Sequence, residues 1–559
     1  MRDALAPRLA AIGLDSGDWQ FIKSMLAEGL LPNFARIRER SAECDIISKD
    51  LHRTNLIWEA FLSGKYDPND PRASGVGFDP SNYRAYKIGA GTAPPFYCKF
   101  SDIEAIAFDV PHLSLSGAGR DVRICTWGTH SRSHPRASNV PGLLGEIERR
   151  FGPHPAFGRE HLYAWHRPDF ADSLVRSLKI GSERRIAAAC WLQQRFPNWR
   201  FFLTVMSESH SAGESFGEVF DGNHILSELE ISKLHRERLR DVYSVLDAAV
   251  GRFADSLPPE TVLVVFSLDG TEATGGELAS MVILPELLYR LAFGRPLLKD
   301  PDQEAWRREP HALAPALSES WEEYMRARFG ESRASRLRRR FDDGREALRE
   351  RLAGLRVRFA SAKSCAPVHS PLGWQVVSWY RLHWPRMRVF ALPTFVDGRL
   401  RINLRGRERQ GLVDPGDYER VCDEIEAWLR SCRDPRTNKG VIADIIRPRA
   451  RDPLAADGPD ADLVVRWSHA IDALEHPTAG MVGPFPFRRT GAHNERGFAL
   501  FSGPGISRAE LGPCQSLDLP ATILALLGHE PAGDLGGKAI LRLAETPKQA
   551  KNVKGHPES

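Results

Sequence analysis

Three short segments of strand character, residues 9–14, 198–206 and 262–266, are apolar along most of their length. A strand that reads this way is buried on both faces, as in a parallel sheet covered by helices, because a half-exposed strand alternates apolar with polar residues. Residues 182–195, 235–257, 415–431 and 517–527 place apolar side chains at three- and four-residue steps, the period of a helix with one buried face. Strand and helix therefore alternate, which predicts a mostly parallel sheet flanked by helices, with functional loops along one edge.

Two long stretches interrupt the alternation. Residues 66–172 are rich in Pro, Gly, Ser and aromatics, with short patterns such as Val122-Arg123-Ile124-Cys125-Thr126-Trp127, and read as an insertion or cap beside the site. Residues 284–370 include an Arg/Glu-rich run over 319–355, with Leu337, Phe341, Leu348 and Leu352 at near-helical spacing, and read as a helical insertion. Its Arg338-Arg339-Arg340 cluster reads as a solvated helix face, with anion binding as the alternative. The core is then assembled from residues 1–65, 173–283 and 371–545, and residues 546–559 form a flexible tail.

Composition narrows the class. A chain of 559 residues can bury a large α/β core with insertions. Lys plus Arg of 76 against Asp plus Glu of 72 leaves a net charge of +4, too small an excess to suggest a nucleic-acid polymer as partner. No apolar segment approaches the about eighteen residues of a membrane span, and the apolar run at residues 9–12 comes too early for a cleavable leader. The expectation is a soluble, cytoplasmic protein with no membrane partner. The eight cysteines are scattered without Cys-x-x-Cys spacing, which points to reduced thiols rather than a disulfide framework or a zinc ribbon.

Candidate chemistry sits where apolar runs end. The first run stops at Asp15-Ser16-Gly17, a carboxylate delivered to the edge of a buried strand. Some forty residues on, Thr54 stands just ahead of an apolar helix (Leu56, Ile57, Ala60, Phe61), whose N-terminal amides favour phosphate oxygens. Taken singly, Asp15 is also a turn former and Thr54 also an N-cap. His210 and Glu214 follow the second strand at four-residue spacing, Leu268 and Asp269 follow the third, and His493 comes late; His210 and Glu214 also read as an i,i+4 surface pair.

The order of these motifs resembles the alkaline phosphatase superfamily, in its type I phosphodiesterase and nucleotide pyrophosphatase branch. The resemblance rests on the Gly13-Leu14-Asp15 strand end and a helix reading over 19–34 that closes on Glu28-Gly29-x-x-Pro32-Asn33. It continues with Thr54 four residues before Trp58 and ten before Gly64, and with the strand ends at 207–216 and 267–270. Arg401-Ile402-Asn403-Leu404-Arg405-Gly406-Arg407-Glu408, Gly491-Ala492-His493-Asn494 and the closing segment from Asp518 complete it. It implies a three-layer α/β/α sandwich with a mostly parallel central sheet, plus two insertions. It also implies a metal-dependent hydrolase of phosphate esters, of phosphodiester or nucleotide pyrophosphate type, acting on a small phosphorylated substrate through a Thr54 nucleophile. Asn55 is the implied phosphate-oxygen donor, and Arg53 adds charge.

The ligand set departs from the family. By position, one metal site becomes His210, Glu214 and His493, and the other Asp15, Asp269 and the Thr54 oxygen, with Leu268 where the family has a carboxylate. Three ligands and an open position suit zinc. The all-oxygen set around Asp15 and Asp269 leaves manganese, magnesium or iron open there. Two other readings stand beside hydrolysis: a phosphoryl or substituted-phosphoryl transferase or mutase on the same centre, and a catalytically degenerate member that binds a phosphorylated ligand.

Overall fold

The computed structural model describes residues 7–543 except 69, 90, 118, 129, 131–135, 160–161, 309–314, 331–371, 450–451, 456–458 and 532. The Arg338–Arg340 cluster, most of the 319–355 run, Cys365 and the 546–559 tail lie outside the described residues.

The fold is mixed α/β, built on a large, mostly parallel sheet flanked by helices. Arg8–Leu14 lies at the centre of this 10-stranded sheet, parallel to Phe201–Met206 on one side and Thr261–Ser267 on the other. Beyond Thr261–Ser267 come Arg496–Ser502, antiparallel to both its neighbours, and Ala42–Ile47. Alternate residues of the central strand enter opposite apolar layers. Ala10, Ile12 and Leu14 pack with the helices Trp19–Ala27, Pro168–Arg195 and Glu230–Asp255, while Leu9 and Ala11 pack with Ile57–Ser63 and Asp518–Leu526. Burial on both faces is why these strands read as continuous apolar runs.

Several boundaries differ from the sequence reading. The helix over 19–34 is two helices, Trp19–Ala27 and Pro32–Arg38, because Gly29 takes a left-handed φ of 74° and turns the chain. Residues 66–172 do more than cap the site: Ala105–Phe108, Val122–Cys125 and Ala137–Ser138 extend the central sheet beyond Phe201–Met206. Four-residue strands sit below the length at which period separates strand from loop, so composition dominated that reading. Residues 371–545 in turn are not all sandwich. Val389–Leu392, Gly398–Ile402, Leu463–Trp467 and Ile442–Ile446 make a separate antiparallel sheet with its own apolar cluster, which takes in the helices Leu284–Phe293 and Tyr418–Arg430.

Among the described residues, no helix is long and apolar enough to cross a membrane. The described cysteines form no disulfide, although the buried sulfurs of Cys44 and Cys514 face each other at 3.1 Å.

Candidate active site

Three parallel strands end side by side and deliver their next residues to one edge. The register pairs Leu14 with Met206 and Gly13 with Phe266, so Asp15, the Ser207–His210 turn and Asp269 emerge together. Functional loops of open α/β sheets gather at this carboxyl edge. Arg496–Ser502 runs the opposite way, so the residues preceding it arrive at the same edge. That is how His493, almost five hundred positions from Asp15 in the chain, joins the cluster. A short ladder between Gly270–Ala273 and Gly491–Asn494 sets Thr271 opposite His493.

The helix Glu208–Phe216 starts directly at the strand end and carries His210 and Glu214 on one face, one turn apart. It lies close against the Gly491 backbone. A Cβ on Gly491 would come within 2.0 Å of the Gly213 carbonyl oxygen, so glycine alone permits this approach.

Asp15 is buried between two donors. Its Oδ1 accepts the Trp58 indole N–H at 2.7 Å, and its Oδ2 faces His210 Nδ1 at 3.1 Å. Burial pushes its carboxyl up, but His210, Trp58 and His493 outweigh this and hold it below the ordinary carboxylate range. The Thr54-to-Trp58 spacing thus has a physical role, since Trp58 ties the Thr54 segment to the Asp15 strand end. Thr54 follows the 3-10 turn Lys49–Arg53; its hydroxyl donates to the Leu51 carbonyl at 2.7 Å and accepts the Leu56 N–H at 3.1 Å. The helix begins at Ile57, and Asn55 is held through its backbone N–H to the Ala73 carbonyl at 2.9 Å.

The expected ligands pair differently from the two sets read by position. His210 Nε2 faces Glu214 Oε1 at 3.5 Å, but His493 Nδ1 turns to Asp269 Oδ2 at 3.1 Å and to the Ser16 hydroxyl at 2.8 Å. The rings of His210 and His493 still meet edge to face at 4.8 Å. The third imidazole beside His210 and Glu214 is His130, whose ring stacks on His210 at 3.9 Å and whose Nε2 lies 3.4 Å from Glu214 Oε2. One ligand atom from each of His130, His210 and Glu214 can be chosen so that all three lie within 4.8 Å of one another. Glu214 is also bonded to the Tyr163 hydroxyl at 2.6 Å and to the Arg489 guanidinium.

Sequence reasoning passed over His130, Tyr163 and Arg489. The signal for His130 was present, since Val122–Cys125 is a buried strand that ends in a turn and then His130, the same arrangement that yields Asp15. That turn is fixed by Asp109, which accepts the Trp127 N–H at 2.6 Å and the Gly128 N–H at 2.8 Å and is ion-paired with Arg185 at 2.7 Å.

Thr54, Asn55, Asp15, His130, His210, Glu214, Asp269 and His493 all line one cavity of about 770 Å³. His52 lines it too, and burial pushes its imidazole pKa down. The buried His210 Nε2 and Asp269 Oδ1 have no hydrogen-bond partner among the described residues. Orphaned buried polar atoms of this kind are costly unless something satisfies them, and two imidazoles with a carboxylate form a donor set that fits a divalent cation.

No protein-family model and no curated protein matches the chain. Solved structures do. The phosphonoacetate hydrolase of Sinorhizobium meliloti 1021 in complex with phosphonoformate aligns with 92% of this chain and 95% of its own, at 12% identity and a TM-score of 0.42. Murine ectonucleotide pyrophosphatase/phosphodiesterase 5 aligns over 94% and 96%, at 9% identity and a TM-score of 0.41. The human form gives 8% identity and 0.42 over the same shares. At these values the chemistry has to be argued from this chain's own residues.

Leu268, where the resemblance places a carboxylate ligand, is fully buried in the apolar layer with Trp58, Phe61 and Phe266. It does not line the cavity. Leu268→Asp is therefore expected to place an unpaired carboxylate in the core, costing on the order of 3 kcal/mol, rather than to restore a ligand. Thermal unfolding of the variant with and without zinc tests this; a metal-dependent rise in its melting temperature above wild type would contradict it.

Proposed function

We propose that the chain is a metal-dependent hydrolase of phosphate esters, of phosphodiester or nucleotide pyrophosphate type, with Thr54 as nucleophile. One observation carries the reading: the Thr54 hydroxyl, the imidazoles of His130, His210 and His493 and the carboxylates of Asp15, Glu214 and Asp269, from six separate segments, line a single cavity. Scattered surface residues have no physical reason to converge in this way.

His130, His210 and Glu214 would hold a divalent cation, zinc by donor type, with Asp15 and Asp269 as the oxygen donors beside them. Such a cation supplies Lewis-acid polarisation of a phosphoryl oxygen and eases ionisation of a nearby hydroxyl. The protein's own groups do the rest. Asp15, through Oδ2, orients the His210 ring and sets its tautomer, as carboxylates behind ligating histidines do. Asp269 does the same for His493. Tyr163 and Arg489 lock Glu214, whose carboxylate has about four lone-pair positions and so retains capacity for a cation. Thr54 Oγ1 would attack phosphorus as the bond to the leaving alcohol breaks, and water would then release the phosphoryl group from Thr54. Asn55 lies next to it for a phosphate oxygen.

Elemental analysis of purified protein together with a mono- and diester activity screen tests the proposal. Wild type is expected to carry stoichiometric metal and to turn over an ester. His210→Ala and His130→Ala are each expected to lose metal, with affinity falling by at least about tenfold. Wild type devoid of metal after metal-supplemented expression would remove the hydrolase reading, and metal without turnover would favour the ligand-binding one.

A further inference from the structure

Four arginines line the same cavity: Arg53, Arg399, Arg488 and Arg489. Three are committed to carboxylates. Arg53 pairs with Asp397 at 2.9 Å, Arg488 with Glu277 at 3.2 Å, and Arg489 with Glu214 and Glu277. The Arg399 side chain, on the strand Gly398–Ile402, makes no hydrogen bond and no salt bridge among the described residues. The carboxylates that attract it, Asp397 and Asp460, act only from a distance and are engaged elsewhere, Asp397 by Arg53 and Asp460 by the Phe78 N–H at 3.0 Å. Partial burial lowers the pKa of the Arg399 guanidinium, and the distant Asp397 and Asp460 offset this only in part.

A half-buried guanidinium that lines a cavity without a side-chain partner is readily satisfied by an incoming anion, which it can bind in bidentate fashion. Arg488 adds a second, positioned charge, its guanidinium lying 4.3 Å from the Tyr163 ring centre and 4.2 Å from that of Trp374. Neither arginine belongs to the cluster around Asp15 and His210. We propose that Arg399, supported by Arg488, forms a second anion subsite, so that the substrate carries a further carboxylate or phosphate group besides the phosphoryl centre. This rests on the phosphoester reading and narrows its substrate class.

Calorimetric titration of the zinc-supplemented full chain with three phosphonates that resist hydrolysis tests it: propylphosphonate, phosphonopropionate and propane diphosphonate. Wild type is expected to bind at least one of the two doubly functional probes about tenfold or more tightly than propylphosphonate. The ranking of those two distinguishes a carboxylate from a phosphate as the second group. Arg399→Gln is expected to bring the three affinities together, and Arg399→Lys, which keeps the charge but not the fork, to give an intermediate ratio. Equal affinities in wild type, no binding of any probe, or an unchanged preference in a folded Arg399→Gln would overturn the subsite. Failure of the hydrolase reading shows separately, as absent ester turnover with the probe preference intact.

Discussion

Thr54→Ala is expected to lower phosphoester turnover by at least about a thousandfold while leaving the fold and metal content in place. The hydroxyl makes only local bonds, to the Leu51 carbonyl and the Leu56 N–H, so removing it frees one backbone amide at a half-buried turn and breaks no bond to His130, His210 or Glu214. Thr54→Ser keeps an oxygen at the same place and is expected to retain measurable turnover. Steady-state rates of the three proteins, read beside their metal content, settle the role. A covalent phosphoryl adduct trapped by acid quench should appear by mass spectrometry in wild type and be absent from Thr54→Ala. Near-wild-type rates in the alanine variant would rule Thr54 out as nucleophile.

The largest expected effect on stability lies behind the site rather than in it. Arg185 is fully buried and pairs with Asp109 at 2.7 Å and Glu208 at 3.1 Å, while His154 reaches Glu208 at 3.0 Å. The network joins the turn that presents His130 to the first residue of the helix that carries His210 and Glu214. Arg185→Met leaves two buried carboxylates without their cation and is expected to cost about 3–5 kcal/mol. A compensated variant separates this from a simple packing defect: Arg185→Met with Asp109→Asn and Glu208→Gln is expected to recover part of the loss. Chemical denaturation of the set measures both.

The same network sets an acid limit. Burial pushes Glu208 up, yet Arg185 and His154 outweigh it and bring the carboxyl from 4.5 down to about 2. A carboxyl depressed in the folded state contributes stability above its unfolded pKa and loses it as pH falls. This contribution, on the order of 3 kcal/mol, is therefore present above about pH 4.5 and disappears between there and about pH 2. In Arg185→Met that window should flatten. A stability profile with the same acid slope in both proteins would contradict the assignment.

Much of the fold was legible because its strands are buried on both faces. The runs ending at Leu14, Met206 and Ser267 are apolar along most of their length, and their burial is what makes them central strands. The strands at 105–108 and 122–125 escaped notice for the opposite reason: four residues among Pro, Gly and Ser give period two no room to show. The Arg401–Glu408 stretch was legible as a motif but not in its role. Arg401 pairs with Glu408 at 2.6 Å, and Arg407 with Asp462 at 2.6 Å, so the motif builds the smaller sheet and lies outside the cavity.

By itself the sequence determined the residue types at the strand ends: Asp15 after the first run, His210 and Glu214 one helical turn apart, Asp269 after the third, and Thr54 four residues before Trp58. Those are local properties, set by period and spacing. Which side chains face one another was decided only by the tertiary structure. Parallel register brings three strand ends to one edge, an antiparallel neighbour returns His493 to it, and the buried Asp109–Arg185 pair turns His130 toward Glu214. Pairings between segments hundreds of residues apart depend on sheet order and backbone approach, as at Gly213 and Gly491, and no local pattern of hydrophobic and polar positions encodes them.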